Sequence, residues 1–120
     1  MSRNDPLTVA ALAVIAACLV TFDHEAPGHG SICLLLGGHI SLLTSSLFRC
    51  DLHSERIAPA GPAMNLLVGA IALVLRAALP TKLARTRLTL IFVTAFSFFW
   101  EGGYLVRAMI VRGGDLYFFA

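Results

Sequence analysis

The stretch Asp23-His24-Glu25-Ala26-Pro27-Gly28-His29 holds the side chains best suited to chemistry in this chain. Two imidazoles flanking a carboxylate suit a zinc ion. Neutral histidine nitrogens bind the metal, and a nearby glutamate can take a proton from water activated beside it. The histidines are five residues apart rather than the four of the usual zincin motif. On a regular α-helix that spacing turns through about 500°, leaving the rings about 140° apart and unable to share an ion. A local π-type bulge absorbs one extra residue. Pro27 favours such a disruption because it has no N–H to donate to the carbonyl of Asp23.

The elements that must position this cluster are apolar. Of 120 residues, 58% are hydrophobic and 13% charged, and the mean hydropathy is +0.81. Soluble domains are nearer 45–50% apolar and about 25% charged. A disordered chain, a nucleic-acid binder and an ordinary soluble enzyme are therefore excluded. A spanning helix needs roughly 20 residues, so the expectation is a single all-α integral membrane domain over residues 1–120, with three transmembrane helices. The first, about 7–36, starts at Asp5-Pro6, is interrupted by the His24 cluster and ends at Gly37-Gly38. The second covers about 57–79, with Gly61-Pro62 near its start and Pro80 beyond its end. The third covers about 88–110 and contains Glu101 and Gly102-Gly103, a pair expected to loosen it. Between the first two spans, Ser41-Leu42-Leu43-Thr44-Ser45-Ser46-Leu47-Phe48 suits a short interfacial strand or hairpin.

Arg76, Lys82, Arg85 and Arg87 crowd the second connection, against Arg49 and Arg56 in the first. The positive-inside rule then puts the second connection and the N-terminus in the cytoplasm, with Arg107 and Arg112 weighing the other way. Ile15-Ala16-Ala17-Cys18 resembles a bacterial lipobox, which would make residues 1–17 a cleaved signal; Asp5 and the missing leucine argue against it.

At the level of motifs, His24-Glu25…Gly28-His29 followed by Gly37-Gly38 resembles the active-site helix of the site-2 protease family of intramembrane zinc metallopeptidases, typically HExGH. Ala60-Gly61-Pro62-Ala63-Met64-Asn65 is similar to the AGPxxN segment that opens that family's next core helix. Gly113-Gly114-Asp115 resembles its last motif, in which an aspartate beside a glycine ligates zinc. The resemblance spans about residues 15–115 in the family's order. The chain departs from the pattern in its lengthened first motif and in lacking the Asn-Pro…Leu-Asp-Gly context of the last. An HExxxH motif also occurs in the unrelated dipeptidyl-peptidase III family.

The resemblance implies that His24, His29 and Asp115 bind Zn2+, that Glu25 is the general base and acid, and that Asn65 orients substrate or bonds across the site. The implied activity is hydrolysis of peptide bonds in membrane protein substrates. The implied setting is a lipid bilayer, with the bacterial inner membrane the expected location. Glu101 is the other candidate for third ligand, since carboxylates within spans seldom face lipid.

Other readings stand beside these. The His24 cluster can be an interfacial cap, or one histidine can ligate a haem or chlorin. Asn65 can be interhelical glue, Asp115 an ordinary turn residue, and Glu101 a partner of Arg107. His39 and His53 read as interfacial polar residues. Cys18, Cys33 and Cys50 read as small apolar fillers with no disulfide framework. The aromatics Phe96, Phe98, Phe99, Trp100 and Tyr104 read as lipid-facing packing or belt. The alternative function is a catalytically silent accessory subunit of a larger membrane complex. The altered spacing, the eroded last motif and the abrupt apolar end at Ala120 favour it, and that end suggests part of a longer protein.

Overall fold

A computed structural model of the chain describes residues 5–112. It is mostly helical, with three helical stretches long and apolar enough to cross a membrane and one small antiparallel hairpin. Helix α1 runs Pro6–Asp23, and Asp5 caps it by accepting the Thr8 backbone N–H at 2.9 Å and its hydroxyl at 2.7 Å. The helix passes without a break into a π-helical turn, His24–Gly30, and then into α2, Ser31–Leu35. The expected π-type disruption is therefore present at the proline, and it occupies seven residues. The stretch ends at the glycine pair, where the Gly38 N–H reaches back to the Cys33 carbonyl at 2.9 Å.

The chain then forms the hairpin, β1 (Ile40–Leu43) paired with β2 (Phe48–Cys50), with an irregular register between Ile40 and Leu42. Its position matches the expected strand segment. A disulfide between Cys33 and Cys50, with Cα atoms 6.1 Å apart, pins β2 to α2. This corrects the reading of both cysteines as apolar fillers. The hairpin folds back on the helix that precedes it, so residues 17 apart in sequence meet, a closure invisible in a linear hydropathy pattern. Cys18 remains a free thiol on the outer face of α1.

Helix α3, Ala60–Ala78, starts three residues later than the apolar pattern suggests, because Ile57, Ala58 and Pro59 form a turn. That turn leaves the Ile57 carbonyl outside the helical ladder. Helix α4, Ala84–Val111, starts four residues earlier than expected and runs unbroken through Gly102-Gly103. Arg87 joins the two ends, donating to the carbonyls of Arg76 at 2.7 Å and Leu79 at 2.6 Å, and so satisfies orphan acceptors at the end of α3. The small core comprises Ala16 of α1, Ala72 of α3 and Val93 of α4 around Val20, flanked by Val68, Leu90, Phe92 and Phe96. Most other large apolar residues, including Leu7, Leu35, Phe99 and Ile110, face outward. That distribution inverts a water-soluble pattern and matches a lipid-facing exterior.

Candidate functional site

In a helix with i→i+5 bonding, residues five apart lie one turn from each other. The π-turn thus places His24 and His29 on one face, with ring centroids 4.8 Å apart and nearly perpendicular planes. Their Nε2 atoms face each other at 3.2 Å. Both side chains are buried, as are Glu25, Asn65 and Glu101.

Each ring is held from its far side. The His29 Nδ1 lies 2.7 Å from the Ile57 carbonyl, which can only accept, so that nitrogen carries a proton and, in the neutral ring, Nε2 carries the lone pair. The His24 Nδ1 meets Asn65 Nδ2 at 3.2 Å and Glu101 Oε1 at 3.4 Å. Asn65 also donates to Glu101 Oε1 at 2.7 Å, linking α3 to α4 behind the ring. Tyr104, one turn beyond Glu101, stacks on His24 with centroids 5.6 Å apart, and Phe48 of the hairpin stacks on His29 at 5.6 Å. Tyr104 therefore has a place in the site rather than in a lipid-facing belt. Phe96 packs against the core, while Phe99 keeps the expected outward orientation.

Gly61 supplies the floor of the site. A Cβ there would lie 2.6 Å from His29 Nε2 and 2.7 Å from His24 Nε2. Gly28, inside the π-turn, packs on Gly61 itself, since a Cβ on Gly28 would meet the Gly61 Cα at 2.7 Å. Two glycines facing each other thus allow the helix carrying the histidines to press against the start of α3.

A cavity of about 490 Å³ opens beside this cluster, bounded by Glu25 and His29 on one side, by Phe48 and Arg49 of the hairpin, and by Tyr104 and Arg107 of α4. His53 also lines it. His39 is spent on the hairpin, its backbone N–H donating to Asp51 Oδ1 at 2.6 Å and its Nδ1 lying 3.2 Å from Oδ2.

The structure brings together His24, His29, Glu25 and Asn65 from the expected set. Asp115 lies outside the described residues. Glu101 sits behind His24, on the Nδ1 side, rather than at the gap between the two Nε2 atoms. Among the described residues, no three His, Cys, Asp or Glu side chains form a group able to hold a metal ion. The Asn65–Glu101 bond and the Gly28–Gly61 contact went unread in the sequence. A buried carboxylate and a buried amide at comparable depth on neighbouring helices was the one available signal. No family model, curated protein or solved structure matches this chain.

Proposed function

We propose that the chain is a membrane-embedded zinc metallopeptidase of site-2 type that hydrolyses peptide bonds of membrane protein substrates. The observation carrying this reading is the pair of Nε2 atoms at 3.2 Å. Two nitrogens each about 2.0–2.1 Å from a tetrahedral zinc ion lie about 3.3 Å apart, so the separation of the pair matches that donor spacing. Gly61 keeps the space beside both nitrogens clear of side chain. Two buried oxygens of the same cluster, Asn65 Oδ1 and Glu101 Oε2, have no hydrogen-bond partner among the described residues, so the site has acceptor capacity to spare.

On this reading His24 and His29 hold the metal, with Asp115 as the third ligand that the motif resemblance supplies. Zinc, when bound, contributes Lewis acidity toward the scissile carbonyl and toward water. Glu25 borders the cavity that His29 also lines, where it can accept a proton from water and pass it to the departing amine. Asn65 fixes His24 from behind.

The chain spans the bilayer three times, with the N-terminus and the connection between α3 and α4 in the cytoplasm, in a bacterial inner membrane. The Cys33–Cys50 disulfide supports this orientation. It lies at the opposite end of the bundle from that connection, and disulfides persist in oxidising compartments.

One observation favours a second reading, a catalytically silent accessory subunit of a larger membrane complex. Asn65, His24, His29 and Ile57 can form an unbroken hydrogen-bonded chain with no cation: the amide donates to His24 Nδ1, His24 Nε2 to His29 Nε2, and His29 Nδ1 to the carbonyl. Metal analysis of the purified chain separates the two. Stoichiometric zinc, lost in His24→Ala and His29→Ala, is expected of the enzyme; wild-type protein that takes up no zinc would sink that reading. A stable stoichiometric complex that cleaves no membrane protein supports the subunit.

A further inference from the structure

We propose that Glu101 is a positioning residue that selects the His24 tautomer able to share a cation with His29. The proposal rests on the metal-site reading above and adds to it a group outside the expected ligand set.

The argument begins with proton inventory. His29 is fixed in one form, because its Nδ1 faces a carbonyl and must carry the proton. His24 is not fixed, because its Nδ1 faces one donor and one acceptor. The Asn65 amide at 3.2 Å favours a lone pair on Nδ1 and hence a proton on Nε2. In that form the Nε2–H points at His29 Nε2 and fills the position a cation would take. The Glu101 carboxylate at 3.4 Å favours the opposite form, with Nδ1 protonated and Nε2 bare. A metal-binding histidine generally donates its other N–H to a carboxylate or carbonyl, which sets the tautomer and the ring plane. Ile57 does this for His29, and Glu101 is placed to do it for His24.

Glu101 is well suited to that task. It is 5% exposed, and Oε1 is held by the Asn65 amide at 2.7 Å, so the acceptor does not wander. Asn65, 1% exposed, keeps that bond to the carboxylate in both tautomers, and only its second contact, to Nδ1, is exchanged. Tyr104 stacks on the ring at 5.6 Å and resists its rotation away from the carboxylate. Glu101 is thus one step removed from the cation.

The test uses the full chain in detergent micelles, with zinc affinity measured by competition against a chromophoric chelator. Loss of an outer partner of a metal-binding histidine typically weakens binding 10- to 100-fold. Glu101→Ala is expected near the upper end of that range. Glu101→Gln, which keeps shape and one acceptor oxygen, is expected to lose less. Nitrogen-15 shifts of the histidine rings give a readout that general loosening would not mimic. The His24 proton is expected on Nδ1 in the zinc-free wild type and on Nε2 in zinc-free Glu101→Ala, and a proton on Nε2 in the zinc-free wild type overturns the proposal. Cobalt(II) absorption then separates positioning from ligation: its band pattern stays the same in Glu101→Gln. Unchanged zinc affinity in Glu101→Ala overturns the proposal while leaving the metal site intact. A changed cobalt spectrum in Glu101→Gln overturns it in favour of direct ligation. Wild-type protein that binds no zinc overturns the site reading itself, and this inference with it.

Discussion

Single atoms decide whether the two histidines can act together, and the glycines around them give a clean contrast. Alanine at position 61 puts its Cβ 2.6–2.7 Å from both Nε2 atoms, which are side-chain ends rather than backbone. Gly→Ala within a helix otherwise stabilises by about 0.5–1 kcal/mol. Gly61→Ala is therefore expected to fold with little change in thermal midpoint and to lose zinc affinity at least about 10-fold, because the rings are driven apart. Alanine at position 28 meets backbone instead: the Gly61 Cα at 2.7 Å, the Asp23 carbonyl at 3.1 Å and the Ala60 carbonyl at 3.2 Å. Neither helix can yield without shifting the other, so Gly28→Ala should destabilise by about 1–3 kcal/mol, the usual range for overpacking. Thermal unfolding alongside zinc titration checks both. Equal loss of stability in the two variants would show that Gly61 serves packing alone. At this scale the sequence was informative where types and spacing carried the meaning. A proline between two histidines five apart implied a change of helical pitch, and the structure has one. Glu101 was legible as a buried carboxylate, but not as a partner of Asn65. That pairing depends on the rotation of α4 against α3, which no single-helix pattern encodes.

Among the elements, the hairpin is the one held by local bonds rather than by a core. Its strands span four and three residues, and its large side chains Leu42, Leu43 and Leu47 are exposed. Two-stranded hairpins are marginal by themselves. The Cys33–Cys50 link supplies the missing restraint, and closing a loop of about 15 residues contributes about 3 kcal/mol on the chain-entropy account. Cys50→Ser is expected to abolish amide-exchange protection over residues 40–50 while leaving that of α3 and α4 intact. Phe48, which stacks on His29, would loosen with the strand. Persistence of hairpin protection in Cys50→Ser would show that pairing alone suffices. Acid should weaken the same element. The Asp51 carboxylate accepts the backbone N–H of His39 and a second bond from its ring, and these hold its pKa below the ordinary 3.8. A carboxylate whose folded pKa is lowered binds its proton less readily in the folded state. Its contribution is therefore complete above the ordinary value and is lost as pH falls through the lowered one. Hairpin protection measured from pH 5 downward should fall through that window in the wild type, and Asp51→Asn should lack the step. The hairpin's location followed from its run of hydroxyl and apolar residues, whose alternation is imperfect. Its covalent tie did not, because a cysteine in an apolar run looks the same whether or not a partner folds back onto it.

For the molecule as a whole, orientation determines from which side water and substrate approach. Charge in the connections and helix ends is evenly balanced. Arg76, Lys82, Arg85 and Arg87 lie toward one end, while Arg49, Arg56, Arg107 and Arg112 lie toward the other. The proposed orientation draws its further support from the disulfide, since a thiol pair on the cytoplasmic side would be kept reduced. With the N-terminus inside, α1 climbs 18 residues before His24, about 27 Å at 1.5 Å per residue. The hydrocarbon core is about 30 Å thick, so in that orientation the histidines would sit near its outer boundary. The cavity beside them opens under the hairpin, on the same side. On the proposed function, water would then reach Glu25 without crossing the bilayer interior, and a substrate would enter from outside, past the hairpin and α4 residues that line the cavity. Single cysteines placed in a Cys18→Ala background test this with a membrane-impermeant maleimide. Ser46→Cys, at the hairpin tip, should label on intact cells, whereas Thr81→Cys, between α3 and α4, should label only after permeabilisation. The reverse pattern would turn the molecule over. The cavity would then open to the cytoplasm, Cys33 and Cys50 would be recovered as free thiols, and the substrates of the site would have to be sought on the inner face of the membrane.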